Sequence, residues 1–312
     1  MRGNIHIVVA CSPDVGRGHL SRSLVLFDAF VASGHRPILY LDHDMGRRLA
    51  DPRASRMRSA LDARPGDLVV VDDYAVALDW LSNLRDRGAH IAVFDDLAEE
   101  PAPADTIVNH NFYGTPALYD VRLRDRILAG PIYALVSPHL ATLAATPYRA
   151  DGPILVSFGG SAAAVGGIDV AHALHASTGR EIDLVLPSSL GRHAVGTSVA
   201  IRTHVDVDMG PLLARASLFV GAMGVVYLEA LAIRCPTVGV RFADNQHLAY
   251  DHARSLGWAV VPDVGAIEQI TEHAIQVLER RQRGPDLGIK GCGGARLAQV
   301  LLARCSPPPI TA

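Results

Sequence analysis

The stretch Ile5-His6-Ile7-Val8-Val9-Ala10, followed shortly by Asp14-Val15-Gly16-Arg17-Gly18-His19 and then Leu20-Ser21-Arg22-Ser23, decides how this chain is read. A short β-branched run suits a buried strand, and the amphipathic pattern over 19–33 suits a helix, so the glycines between them form a strand-to-helix loop. Loops at the carboxyl ends of strands are where α/β folds place ligands. Glycines 16 and 18 let a ligand approach the backbone, and the helix start offers unpaired N–H groups to an anion. His19, Arg22 and Ser23 are spaced i, i+3, i+4 and share one face of the first turn. Imidazoles titrate near neutral pH and serve as general bases. The same position also suits a histidine that caps a glycine turn.

Outward from this unit the alternation repeats. Strand-like runs at Pro37–Leu41, Leu68–Val71, Ile91–Phe94 and Thr106–Val108, with a further helical pattern over 77–87, predict a parallel sheet. A second series starts at Ile154–Phe158 and continues through Ile182–Leu186, Ala200–Arg202, Leu218–Val220, Pro236–Val240 and Ala259–Val261. The proline-rich segment Gly130–Pro153 lies between them, so the spacing predicts two α/β domains, 1–150 and 151–304, with a disordered tail over 305–312. The helical stretch over 293–304 has the option of crossing back to the first domain. The length of 312 residues exceeds the size at which one core usually stops growing, which agrees with two domains.

Composition narrows the partners. Lys and Arg number 29 against 32 Asp and Glu, a net charge of −3 that exerts no long-range pull on nucleic acid or anionic membrane, so a small ligand is expected. The apolar start is too short to span a membrane or to serve as a signal segment, so a cytoplasmic protein without membrane insertion, monomeric or weakly dimeric, is expected. Four scattered cysteines lack the spacing of a zinc or redox site.

Further loops carry candidate chemistry. Gly159-Gly160-Ser161 follows a strand and suits phosphate or sugar through backbone N–H groups and the Ser161 hydroxyl, or simply a tight turn. Gly221-Ala222-Met223-Gly224 follows another strand and leads into a helix from Val225, in which Glu229 suits a ribose diol or an exposed surface position. Asn245 and Gln246 open a helix after Pro236–Val240 and suit a ligand or a cap. Asp72-Asp73-Tyr74 and Asp95-Asp96 end strands; capping is expected for Asp95 and Asp96, while the Tyr74 hydroxyl is expected to reach the site beside His19. His204-Val205-Asp206-Val207-Asp208 alternates like a metal strand but lacks a further ligand, and no metal is expected there.

The joint order of G-R-G-H-L-S-R-S-L, V-V-D-D-Y, A-V-F-D-D-L-A, A-D-T-I-V-N-H-N, S-F-G-G-S, G-A-M-G-V-V-Y-L-E-A-L and N-Q resembles the UDP-2,4-diacetamido-2,4,6-trideoxy-β-L-altropyranose hydrolase family of pseudaminic acid biosynthesis. That family is related in fold to the GlcNAc transferase that makes lipid II. The resemblance implies a GT-B fold, two Rossmann-like doubly wound domains facing a cleft, with the nucleotide on the C-terminal side and no cofactor or metal. It implies that His19 activates water at the anomeric carbon of a nucleotide sugar, with Tyr74 and Asn245 orienting the reactants. It also implies a substrate contact from Gln246 and a nucleotide site from Gly221, Met223, Gly224 and Glu229; the reading of the residues themselves adds Gly16, Gly18, Arg22 and Asp73 as substrate contacts and Gly159, Gly160, Ser161 and Val225 to the nucleotide site. Two departures leave the nucleotide open: Ala162-Ala163 replaces the usual acidic continuation, and Val225-Val226 replaces a hydroxyl residue. A glycosyltransferase of the same fold and a non-catalytic nucleotide-sugar binder are the alternatives.

Overall fold

Strand β1 (Ile5–Val9) shows why the first sheet is buried on both sides: Ile5, Ile7 and Val9 point to one face and Val8 to the other, all nearly inaccessible. In the computed structural model it pairs in parallel with β2 (Ile38–Leu41) and β4 (Leu68–Asp72). With β3 (Ala54–Met57), β5 (His90–Phe94), β6 (Thr106–Asn109) and β7 (Ile127–Ala129) it forms a seven-stranded sheet ordered β3-β2-β1-β4-β5-β6-β7. The structure describes residues 3–10, 18–41, 54–57, 61–99, 103–160, 162–188, 190 and 200–305, with 54–57 and 162–163 as backbone alone. The expected tail beyond 305, Gly16 and Ser161 lie outside the described residues.

One face of this sheet is covered by α1 (Gly18–Ala32) through Leu20, Leu26 and Phe30, and by α9 (Gly293–Cys305) through Leu297, Ala298 and Leu301. The other face packs on α2 (Leu78–Asp86) through Leu81 and Leu84. β3 and β7 carry no sequence signal: Ala-Ser-Arg-Met is poor in β-branched residues, and a strand of 3 residues is too short for a period to show.

The second sheet repeats the plan in the order β10-β9-β8-β11-β12-β13, again all parallel. Its strands are β8 (Ile154–Ser157), β9 (Ile182–Leu186), β10 (Ile201–Val205), β11 (Leu218–Ala222), β12 (Thr237–Val240) and β13 (Val260–Val261). α3 (His139–Ala144) precedes β8. Helices α4 (Gly166–Thr178) and α8 (Ile267–Glu279) bury Val170, Leu174, Ile270 and Ala274 on one face. The remaining helices are α5 (Met209–Arg215), α6 (Val225–Ala232) and α7 (His247–Ser255). Both sheets reverse their strand order at one point, β1/β4 in the first and β8/β11 in the second, which is the doubly wound arrangement expected.

The domain limits differ from the sequence expectation. The first unit comprises β1, His19–Leu135 and the returning segment from Cys292, and the second comprises Val136–Gly291, so the boundary falls before 150 and α9 leaves the C-terminal domain. Packing gives the reason. Leu140 and Leu143 of α3 lie over Gly210 of α5, where a methyl group would come within 2.9 Å of Leu143 Cδ1. At the other end, Gly293 sits where a Cβ would come within 2.2 Å of Ala134 O, which lets α9 close onto the first unit. Among the described residues no helix is long and apolar enough to cross a membrane.

Candidate functional site

The first turn of α1 brings His19, Arg22 and Ser23 onto the carboxyl end of β4. Asp72, the last residue of that strand and opposite Val9 of β1, is fully buried and receives all three. His19 Nδ1 lies 2.5 Å from Asp72 Oδ1. Arg22 donates from Nε (2.7 Å) and Nη2 (2.6 Å) to the two oxygens, a bidentate grip, and the Ser23 hydroxyl donates at 3.0 Å. With the Nδ1 proton committed to Asp72, the lone pair of the neutral imidazole resides on Nε2.

Arg22 also joins this carboxylate to a second one. Its Nη1 donates to Asp96 Oδ2 at 2.5 Å, and the Asn111 amide donates to Asp96 Oδ1 at 2.6 Å. The Tyr74 hydroxyl donates to Asp96, while its ring meets the His19 ring edge-on with centroids 4.7 Å apart. His110 completes the cluster, with Nε2 3.0 Å from Arg22 Nη1 and Nδ1 3.2 Å from the Leu135 amide. A neutral imidazole has one lone pair, so it accepts from only one of the two.

The charges are set by this packing. Burial by itself raises the Asp72 pKa, but Arg22 and His19 outweigh it and hold the carboxyl well below the usual range. Asp96 is lowered in the same way, burial being offset by Arg22 and His110. Burial tends to lower the Arg22 pKa, and the two carboxylates reverse this and raise it well above its ordinary value. Tyr74 is pushed far up by burial and then by Asp96, so it stays a hydroxyl. His110 is pushed down to about 4 by burial and by Arg22, which keeps it neutral.

In the second unit the switch point lies between β8 and β11. After β8, Gly159 adopts a positive φ of 89° with open space where a Cβ would lie, a conformation that favours glycine. After β11, Gly224 is the exposed N-terminal cap of α6, and the helix starts at Val225 with no side-chain cap. Unpaired backbone N–H groups of this kind receive anions. The Gln246 side-chain oxygen accepts from Phe242 N (2.9 Å) and Met223 N (3.3 Å), tying this loop to the one before α7. Beside it, Asn245 Oδ1 is buried and takes no hydrogen bond, a deficit that a ligand donor would satisfy. Glu229 on α6 is pushed up to about 7 by burial and by Asp208.

Several residues sit differently from the sequence reading. Arg22, expected at the substrate, is 4% exposed and spends its donors on Asp72 and Asp96. Asp73 was the expected substrate contact of its doublet, yet it closes a turn onto Ala75 N at 2.8 Å while Asp72 takes the site position. Asp95 caps a turn as expected, onto Leu97 N and Ala98 N, whereas Asp96 belongs to the buried cluster. Gly221 lies within β11, where a Cβ would come within 2.0 Å of Ser157 O, so it serves sheet pairing. Gln246 is a loop tie through its oxygen. Gly18 opens α1. The weak metal pattern is explained by structure: His204 Nε2 lies 2.8 Å from Asp183, and Asp208 caps α5. Among the described residues no group of three or more His, Cys, Asp and Glu is placed to hold a metal ion. The sequence reading takes Asp72 and Asp96 only as members of acidic doublets at strand ends, Asp96 as a cap, and gives His110 and Asn111 no role, although V-V-D-D, F-D-D and V-N-H-N place each of them just at or after a strand end.

No protein-family model matches the sequence, and no curated protein sequence matches it. Solved structures do. A spinosyn rhamnosyltransferase, SpnG, complexed with spinosyn aglycone is 16% identical with a TM-score of 0.66, over 98% of this chain and 96% of that one. The glycosyltransferase SsfS6 of Streptomyces sp. SF2575, complexed with thymidine diphosphate, is 13% identical with a TM-score of 0.58, over 97% and 96%. A putative UDP-N-acetylglucosamine 2-epimerase from Listeria monocytogenes is 12% identical with a TM-score of 0.55, over 96% of each. At such identities the likeness establishes the fold, two Rossmann-like domains of the GT-B type. The hydrolase resemblance rests on the motifs alone.

Proposed function

We propose that this chain is a GT-B glycosyltransferase that moves a sugar from a nucleoside diphosphate to the hydroxyl of a small acceptor. The observation that carries this reading is the His19–Asp72 pair at the switch point of the first sheet. Asp72 fixes the tautomer that presents Nε2 as a base, and the carboxylate stays ionised to stabilise the imidazolium that results. Nε2 accepts the acceptor proton, the acceptor oxygen forms its bond to the anomeric carbon, and the bond from that carbon to the phosphate oxygen breaks with its electron pair. The nucleoside diphosphate leaves carrying the negative charge; taken by itself, the second unit has two features suited to an anionic phosphate, the open α6 start at Gly224 and the Gly159 loop.

The named neighbours support transfer over the hydrolysis that the motif resemblance implies. Two of them are glycosyltransferases, one bound to an aglycone and one to a nucleoside diphosphate. Asn245 Oδ1, a buried acceptor that takes no hydrogen bond, is assigned to a hydroxyl of the transferred sugar, and Glu229, half-buried on the helix that follows the Gly224 loop, to the ribose.

Incubation with uridine, thymidine and cytidine diphosphate sugars, with and without a panel of hydroxylated acceptors, tests the reading by nucleotide release and product mass. Acceptor-dependent release with a glycosylated product is expected. Equal release without any acceptor would make the protein a hydrolase.

A further inference from the structure

Strand β12 ends at Val240, and its alternation sorts the residues that follow. Val238 and Val240 enter the core of the second unit, whereas a Cβ at Gly239 would meet Tyr227 and Met223 on the opposite face, the one carrying α6 and α7. Arg241 is next on that face. It stands one residue beyond the Ala222–Val240 pair of β11 and β12, which sets it beside Met223 and the open α6 start at Gly224. Its backbone is fixed, because Arg241 N donates to Val261 O at 2.9 Å. Its side chain is exposed, and the guanidinium lies over the Tyr250 ring of α7, 5.9 Å from the centroid. Among the described residues this guanidinium makes no ion pair and donates no hydrogen bond. A guanidinium stacked in this way keeps its N–H edges for a partner, and its planar fork of donors matches phosphate oxygens.

The loop around Arg241 points the same way. Gln246 Oε1 is committed to Met223 N and Phe242 N, which fixes the amide and leaves its NH2 as a donor, with Nε2 3.9 Å from where a Gly224 Cβ would lie. Asn245 Oδ1 is buried and takes no hydrogen bond, so the loop is one that a ligand completes. Nearby carboxylates are spent elsewhere: Asp263 closes a turn onto Gly265 N at 2.7 Å, and Asp208 caps α5. Asp244, three residues on, makes no ion pair with Arg241.

We infer that Arg241 is a binding residue for the diphosphate of the nucleotide donor, adding a side-chain cation to the backbone donors at the α6 start. The inference rests on the nucleotide-donor reading of this unit and names the charge that holds the phosphates.

Calorimetry at one fixed ionic strength tests it, with uridine, thymidine and cytidine presented as nucleosides and as diphosphates. Since the Arg241 side chain is exposed and unbonded, Arg241→Ala is expected to fold like the parent. Its affinity for the diphosphate of the preferred base is expected to fall about 10- to 100-fold, the range for a charge-assisted hydrogen bond, while nucleoside affinity stays within a factor of about two. Arg241→Lys keeps the charge without the fork and is expected to recover part of the loss. Arg254→Ala removes another exposed cation, from the last turn of α7, and is expected to leave diphosphate binding unchanged. Parent-like diphosphate affinity in Arg241→Ala, an equal loss for the nucleoside, or the same loss in Arg254→Ala overturns the inference and leaves the nucleotide reading intact. A parent protein that binds none of the diphosphates sinks both.

Discussion

His19 on α1 and Asp72 at the end of β4 are 53 residues apart in sequence, yet their side chains meet at 2.5 Å with Asp72 wholly buried. The contact makes two separable requirements on catalysis, a base and a carboxylate that orients it. His19→Asn removes the base and is expected to lower kcat about 10²–10⁴-fold, the usual share of general base catalysis. Asp72→Asn keeps the base but loses control of the tautomer, and a similar loss is expected with nucleotide affinity within a factor of about two. Steady-state kinetics beside nucleotide calorimetry checks both. A parent-like kcat in either variant would remove the pair from the mechanism.

Arg22→Met leaves two buried carboxylates without their cation, and destabilisation by about 3–5 kcal/mol is expected at pH 7. The pH dependence has a definite sign. Asp72 and Asp96 have folded-state pKa values below the unfolded value near 3.9, so their stabilisation is present above it and lost as pH falls through the folded values. In the variant burial is opposed by His19 at Asp72 and by His110 and the Tyr74 hydroxyl at Asp96 but no longer by Arg22, so both carboxyls rise from their parent values and the deficit shrinks toward pH 4, where they take up protons. Urea unfolding at pH 7 and pH 4 measures this, and an equal deficit at both would show that packing, not charge, is lost.

Glu229 behaves in the opposite direction. Burial and Asp208 raise its carboxyl to about 7, so the folded state holds a proton that the unfolded state releases near pH 4.3. Its contribution is best at low pH and declines between about 4.3 and 7, by about 1–3 kcal/mol after allowance for partial exposure. Glu229→Gln is therefore expected to match the parent at pH 4 and exceed it in stability at pH 8, while nucleotide binding weakens by about 1.5–3 kcal/mol. Thermal unfolding at the two pH values and nucleotide calorimetry read the two effects. Unchanged nucleotide affinity would take Glu229 out of the site.

Gly221 and Gly224 stand three residues apart and are expected to fail differently. A methyl at Gly221 would lie 2.0 Å from Ser157 O, so Gly221→Ala should cost about 3 kcal/mol or more by forcing β8 and β11 apart. At Gly224 the nearest atom to such a methyl is Gln246 Nε2 at 3.9 Å, so Gly224→Ala should change stability by less than about 0.5 kcal/mol. It should weaken nucleotide binding, since the methyl projects where a phosphate would approach the α6 start. Denaturation and calorimetry on both variants separate the roles, and wild-type nucleotide affinity in Gly224→Ala would move the phosphate elsewhere.

The sequence by itself determined the two doubly wound sheets, because strand and helix periods are local and the β-branched runs and glycine loops fall where elements begin and end. It also placed His19, Arg22 and Ser23 on one helical face, which the 3.6-residue period dictates. It did not distinguish Asp72 from Asp73. Adjacent strand residues point to opposite faces, and only the register of Val70 and Asp72 toward α1 selects the first. Arg22 read as a substrate contact until its partners appeared, 50 and 74 residues away on β4 and after β5. The strand role of Gly221 was likewise invisible, and the return of α9 to the first unit was legible only as an option, since each depends on which distant backbone lies within reach of a Cβ, and packing alone decides that.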